Sequence, residues 1–350
     1  MGHVTDIAAP LVSITCNPPP HFVFSTSLVN TGVLRVAETT GALTATGFAV
    51  PYGGITGATI APSGRFLYLS DVVNGVRTFS IDIDSGELRE LAGASPVSTG
   101  FSEPQFMAIA PNGKHLYVAN RAANTLSVLA LNPATGAATP SSSIATGSYP
   151  LAVSITPNGR FLYVANYQAD SISAYVLNSA SGEAAFLAEV PIGSRSRFLS
   201  LDPNGRFLFV TGGTDRIYVF AIDPSSGNLT AVSGSPFQAG NGAQNSAVSL
   251  DAKSLYVSNE IDGTLGSLSI DPATGALSSQ SSALPAGQYP EGVAIDPVNG
   301  NAYVAQQGAG AVGTYARNSQ TGLLAAAVQT IMPTLPIGIT VLGFASSKGR

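Results

Sequence analysis

The 350-residue sequence predicts an all-β fold, a seven-bladed β-propeller with four-stranded antiparallel blades. Three observations carry that expectation. The stretch P-N-G-R-F-L-Y-V-A-N at 157 returns in near-copy at 62 (P-S-G-R-F-L-Y-L-S-D), 111 (P-N-G-K-H-L-Y-V-A-N) and 203 (P-N-G-R-F-L-F-V-T-G), at steps of 49, 46 and 46 residues. A Thr-Gly or Ser-Gly turn recurs out of phase with it at Gly41, Gly86, Gly136, Gly182, Gly227, Gly275 and Gly322, and seven copies at such a period mean seven supersecondary units. The composition agrees: 38 Gly and 23 Pro supply turns, while 45% hydrophobic and only 10% charged residues are far from a disordered chain.

Each unit parses into four strands. In the clearest copy L-A-V-S-I-T alternates, P-N-G turns, R-F-L-Y-V-A-N alternates again, Y-Q-A-D turns, S-I-S-A-Y-V-L extends, S-A-S-G-E turns, and A-A-F-L-A-E-V closes the meander. Weaker copies of the second strand stand at 251 and 297. One such meander cannot bury both faces alone, so seven close into a ring. The first unit lacks an inner strand, since only H-F-V-F-S-T-S precedes its marker, and P-I-G-I-T-V-L-G at 336–343 supplies one from the far end. The C-terminal strand is therefore expected to pair with the N-terminal blade. The domain layout that follows is an irregular leader over 1–20, one propeller domain over 21–344 and a tail over 345–350.

Charge and cysteine content exclude several classes. A net charge of -5 with thinly scattered Lys and Arg gives no footprint for DNA or RNA. No apolar run approaches the roughly 18 residues of a membrane span. The single cysteine, Cys16, excludes a disulfide framework and a cysteine-rich zinc site, and reads as an ordinary thiol of the leader. The first residues carry an aspartate and no Lys or Arg, unlike a signal peptide. The low charge and the Ser, Thr, Asn, Gly and Ala content suit an exported protein (periplasmic, extracellular or surface) whose signal peptide is absent from the chain, with the cytoplasm as the alternative. A monomer is expected, without metal or cofactor.

With the Y-V-A-N strands and Pro-Asn-Gly turns in hand, the chain resembles the Y-V-T-N-type propellers and the seven-bladed lactonase-like family, which includes the propeller phosphogluconolactonases and the carboxymuconate lactonising enzymes. The likeness runs from about His21 to Phe344. It implies a polar cluster at one mouth of the central channel, with Pro-Arg-His before the inner turn and Tyr-Val-Val-Asn-Glu after it. The counterpart here is residues 196–213, where Arg197 keeps the arginine, Phe198 replaces the histidine and Gly213 the glutamate. A further histidine of the family would fall near Tyr149. Arg197 retains the capacity to hold an oxyanion or a carboxylate, but proton transfer would need relocated groups.

Of the three histidines, His3 lies in the leader, His21 starts the first strand, and His115 takes the register place of Phe66, Phe161 and Phe207, a blade-packing position. If the Pro-Asn-Gly and Thr-Gly turns lie at the bottom, the remaining connections form the top. There the candidate catalytic residues are Arg197, Arg195, Glu260 and Glu291, with the two arginines expected to point the same way from one inner strand. The candidate ligand-binding residues are Glu103, Gln105, Arg121, Tyr149, Tyr167, Gln244 and Tyr289. Bottom charges such as Arg65, Arg160 and Arg206 recur at one register position, as a repeated structural role or a solvated rim would require.

Three functions fit these residues. The first is a propeller whose top mouth binds a small polar or anionic ligand, or a protein partner. The second is a lactonase-type hydrolase or lactonising isomerase using Arg197, with Glu103, Glu260 or Glu291 as acid/base. The third is a structural or adhesive module. The distance from carboxylate to arginine at the mouth separates the first two.

Overall fold

The computed structural model describes residues 21–27, 30–38, 40–100, 103–332 and 336–342. His3, Cys16, the leader 1–20 and the tail 345–350 lie outside the described residues. Seven antiparallel sheets form the blades. Blade 1 contains His21–Ser27, Thr31–Val36 and Leu43–Val50, with Pro336–Leu342 as its inner strand. The inner strands of blades 2 to 7 are Ile55–Ile60, Pro104–Ile109, Pro150–Ile155, Phe198–Leu201, Ala243–Val248 and Pro290–Ile295. Each packs against its two neighbours, so the strands ring a central axis. Among the described residues no helix is long and apolar enough to cross a membrane.

The ring closes as the strand count requires. Val23↔Val341, Ser25↔Ile339 and Thr26↔Gly338 are antiparallel partners, which makes the last strand the missing inner strand of blade 1. The second strands, among them Phe66–Asp71, His115–Asn120 and Phe161–Asn166, are buried along their whole length. Burial does not follow the alternation expected from the sequence, because both sheet faces meet an adjacent blade. The core consequently lies between blades. Tyr163, Ala165 and Ile172 of blade 4 (second and third strands Phe161–Asn166 and Ser171–Leu177), for example, pack with Leu199, Leu208 and Val210 of blade 5.

The repeated aromatic residues clasp one blade to the next. Tyr163 Oη donates to the carbonyl of Gly227 (2.8 Å), Tyr117 to Gly182 (2.9 Å) and Tyr68 to Gly136 (3.0 Å). The ring two residues earlier presses on the same turn: a Cβ on Gly227 would lie 2.3 Å from Phe161, so only glycine fits there. His115 takes this place against Gly182, as its register predicts. It is buried and its Nδ1 has no hydrogen-bond partner. The recurrent bottom arginines are structural, since Arg160 donates to the carbonyls of Pro224 and Ser225 and Arg206 to that of Pro272.

Candidate functional site

A short backbone device builds the top mouth. In five blades the residue just before the inner strand is left-handed: Gly54, Glu103, Tyr149, Gly242 and Tyr289, with φ of 74, 53, 62, 73 and 53°. Its carbonyl accepts the N–H of the residue just beyond the second strand, namely Val72, Arg121, Tyr167, Glu260 and Gln307. That bond places the top-loop side chains. A left-handed conformation is free for glycine but costs Glu103, Tyr149 and Tyr289 of order 1–3 kcal/mol each, strain of the kind that gathers at functional sites.

In six of the seven inner strands the second residue then falls in a register shift. The ladders pass over Thr56, Gln105, Leu151, Gln244, Glu291 and, in the closing strand, Ile337. A β-bulge of this kind bends the strand and re-aims its side chains, and bulges favour barrel rims and active sites. In blade 5 the equivalent residue is Arg197, just outside the strand that starts at Phe198, with its N–H bonded to the carbonyl of Thr211 (2.8 Å).

Within this ring one cationic group faces one carboxylate. Arg197 Nη2 lies 3.7 Å from Glu291 Oε2, and the side chains are 38% and 18% exposed. Burial raises the Glu291 carboxyl above the usual carboxylate range. The Arg197 charge works against that rise and the nearby Glu260 carboxylate adds to it. Glu260 accepts a hydrogen bond from Gln244 Nε2. A buried, uphill carboxyl beside a guanidinium is suited to taking and returning a proton next to a group that holds negative charge.

Below the ring the channel narrows to a cavity of about 150 Å³ lined by all seven inner strands. Phe106 and Phe198 cross there edge to face, ring centroids 5.3 Å apart. They give the polar mouth an apolar floor.

A second cluster runs along the rim over blades 3 to 5. Glu103 pairs with Arg121 (2.6 Å), and Arg121 lies over the Tyr149 ring (5.1 Å). Tyr149 leans on Tyr167 (5.8 Å), and Arg195 covers Tyr167 (5.1 Å) while donating to its hydroxyl (2.9 Å).

The candidate residues thus divide. Arg197, Glu291, Glu260 and Gln244 gather at the mouth, whereas Glu103, Arg121, Tyr149, Tyr167 and Arg195 form the rim cluster. Gln105 is buried and its amide donates to the carbonyl of Glu103 (3.2 Å). Tyr289 is 53% exposed. One expectation is corrected: Arg195 and Arg197 do not share an inner strand or a direction. Between them Ser196 is buried and tethered by its Oγ to the carbonyl of Ser171 (2.9 Å). The Arg195 carbonyl lies flat over Gly212, where a Cβ would come within 1.7 Å of it. This segment is therefore not extended in a ladder, and the alternation rule fails for it.

Sequence reasoning missed Phe106 and the register ring as such. Aligning the inner strands of blades 2 to 7 on the turns that follow them, Pro-Asn-Gly or its variants, would have put Thr56, Gln105, Arg197, Gln244 and Glu291 in one column.

Comparison with known proteins gives the molecule its relatives. The family described as "Lactonase, 7-bladed beta-propeller" matches in three overlapping segments, residues 23–155, 139–244 and 232–340. No curated protein matches the chain in sequence. Among solved structures, a candidate 6-phosphogluconolactonase of Bacteroides uniformis superposes with TM-score 0.79 at 21% identity, covering 93% of this chain and 100% of its own. A periplasmic gluconolactonase of Pseudomonas aeruginosa superposes with TM-score 0.76 at 21% identity, over 93% of this chain and 99% of its own. At such identities the structural likeness speaks for the fold.

Proposed function

The chain belongs to the family of seven-bladed β-propeller lactonases, and from that premise we propose that its top mouth binds a small lactone and hydrolyses it. The observation that carries the reading is the raised Glu291 carboxyl 3.7 Å from Arg197. Glu291, ionised, takes a proton from a water whose oxygen attacks the lactone carbonyl carbon. The negative charge that develops on the carbonyl oxygen is held by Arg197. As the tetrahedral intermediate collapses, the ring C–O bond breaks and the proton passes from Glu291 to the leaving alkoxide. The product is a hydroxy acid, which loses its carboxyl proton to solvent and whose carboxylate then pairs with Arg197. Phe106 and Phe198 carry the apolar side of the ligand, and Gln244 holds Glu260 in place.

A binding-only mouth is the second reading. It is favoured by the phenyl ring of Phe198, which offers no proton and packs on Phe106. Export from the cytoplasm is part of the proposal, resting on the low surface charge.

A panel of sugar and aliphatic γ- and δ-lactones decides between the readings, with acid release followed for wild type and Arg197→Ala. Turnover lost in the variant supports hydrolysis. Turnover of no lactone, with saturable binding of the hydroxy acids, assigns the mouth to binding alone. Equal turnover in both proteins overturns the role of Arg197.

A further inference from the structure

The same point of each blade is filled differently. Opposite the middle of the second strand, the third strand carries Gly32, Arg77, Ser127, Ser173, Tyr218, Gly266 and Gly313 in blades 1 to 7. Five of the blades other than the sixth show what occupies the space beside it. In blade 1 the Met332 methyl fills it, 2.6 Å from where a Cβ on Gly32 would stand. In blade 7 the Gln306 amide does so at 2.6 Å. In blade 2 Arg77 fills it and pairs with Asp71 and Glu90. Blades 3 and 4 place a serine there: Asn120 Nδ2 donates to Ser127 Oγ (2.7 Å) and Asn166 Nδ2 to Ser173 Oγ (2.8 Å).

Blade 6 has neither filler nor serine. The nearest atom to a Cβ on Gly266 would be Asn259 Nδ2, at 3.2 Å. Asn259 is 1% exposed, and its Nδ2 makes the equivalent of only one of the two bonds of Asn120 and Asn166, to Thr264 Oγ1 (3.1 Å). The fourth strand is interrupted at the same level, between Leu277–Ser279 and Leu284–Pro285. The result is a cavity of about 610 Å³ between blades 5 and 6, with Phe237, Val257, Leu268 and Leu277 in its wall and Asn259 at its head. Its exposed surface is mainly apolar, although Asp262 and a run of serines (Ser278, Ser279, Ser281, Ser282) also border it, and that size with a mainly apolar surface is the mark of a small-molecule site.

We infer that this cavity is a second ligand site, separate from the mouth, for a small and largely apolar molecule ending in a carbonyl or hydroxyl oxygen. The oxygen takes the place of the serine Oγ of blades 3 and 4 and accepts the free N–H of Asn259. The apolar body lies on Phe237, Leu268 and Leu277. An anionic head is disfavoured, because the one charged side chain lining the cavity, Asp262, is a carboxylate and no cationic side chain offsets the loss of hydration. The inference does not rest on the lactonase reading, since none of these residues belongs to the mouth.

Acetophenone is a suitable probe, and α-methylstyrene is its isostere without the acceptor oxygen. Binding is read by ligand-observed NMR and calorimetry on wild type, Gly266→Ser and Gly266→Met. Gly266 has no left-handed φ, so both side chains suit its backbone. Acetophenone is expected to bind wild type with a millimolar or better Kd. The isostere should bind about fivefold more weakly, the worth of one hydrogen bond. Gly266→Ser should weaken acetophenone by a similar factor and Gly266→Met should abolish its binding, with lactone turnover at the mouth unchanged in both. If the methionine variant fails to fold, the serine variant decides. No binding at ten times the millimolar range, equal binding of the isostere, or acetophenone binding indifferent to Gly266→Ser overturns the inference.

Discussion

Arg197 and Glu291 meet from blades 5 and 7, across the blade that carries Gln244 and Glu260, with Nη2 and Oε2 3.7 Å apart. That is longer than a hydrogen bond. The two charges hold each other in place while the guanidinium donors and the carboxylate lone pairs stay available to a third group. Glu291→Gln is therefore expected to lower kcat for lactone hydrolysis by about 10²- to 10⁴-fold, the usual worth of a proton-transfer group. Arg197→Met should lower kcat/KM by about 10² or more through loss of oxyanion stabilisation. Steady-state kinetics test both, and a Glu291→Gln enzyme within about threefold of wild type would remove Glu291 from the proton path.

The pH profile follows from the same carboxyl. Burial raises it, Arg197 lowers it and Glu260 raises it further. A base must be ionised to act, so activity falls as pH drops through this raised value, and the acid limb should lie above the ordinary carboxylate range. Glu260→Gln should move that limb to lower pH. In Arg197→Met, whose residual rate is measurable at high enzyme concentration, it should move to higher pH. A limb that stays put in both variants would show that another group titrates.

His115 wedges against Gly182 where other blades use phenylalanine, and its Nδ1 is buried without a partner. Burial and the Lys114 charge lower its tendency to take a proton. Removing a buried, unsatisfied polar atom in favour of the residue of the repeat should stabilise the fold. His115→Phe is expected to gain about 1 kcal/mol in denaturant unfolding. A loss of stability would mean that the imidazole has a partner in solution.

The seam between first and last blades carries a buried cluster. Asp296 Oδ2 lies 3.1 Å from His21 Nε2 and 2.9 Å from the Tyr303 hydroxyl, whose single proton it shares with the Gly41 carbonyl (3.0 Å). Burial tends to raise the Asp296 carboxyl, but hydrogen bonds from His21 and the Val298 N–H outweigh it and hold the carboxyl below its ordinary value. A carboxyl depressed in the folded state contributes stability above its unfolded value, near 3.8, and that contribution is lost as pH falls through the folded value. Asp296→Ala should cost about 1–3 kcal/mol near neutral pH, the usual result of leaving buried donors without their acceptor. Its stability should then vary less with pH in the acid range than that of wild type. Unfolding curves at several pH values test this, and parallel acid profiles would sink it.

Removing residues 336–342 should open the same seam. The strand is the inner strand of blade 1 and contacts the inner strands of blades 2 and 7. A chain ending at 335 is expected to lose its single sharp unfolding transition. An unchanged transition would show that closure contributes nothing to cooperativity.

The frame was legible because it repeats. Copies of Y-V-A-N and Thr-Gly set the blade count, and the orphan strand at 336 announced the closure. His115 and the bottom arginines were readable for the same reason: a register position names its neighbours. The mouth was legible by residue type and less so by direction. Alternation carries a side chain to one face or the other of a strand, but the residues that matter sit in register shifts, and in blade 5 a serine tether and Gly212 pull Arg195 away from Arg197. Bulges leave no mark in hydrophobic periodicity. The cavity of blade 6 was hidden for another reason, since Gly266 is conspicuous only once the fillers of the other blades are known.

The left-handed residue that opens an inner strand serves the scaffold through its carbonyl and leaves its side chain out of that bond, which is why glycine, glutamate and tyrosine all occupy the place. Together with the shifted residue two positions on, it forms a three-residue cassette: Glu103-Pro104-Gln105 in one blade, Tyr289-Pro290-Glu291 in another. Such cassettes are interchangeable parts. A lineage that duplicates, swaps or converts blades can carry a carboxylate or an aromatic ring from one sector of the mouth to another without redesigning a core, so new specificities are reached by short steps of recombination.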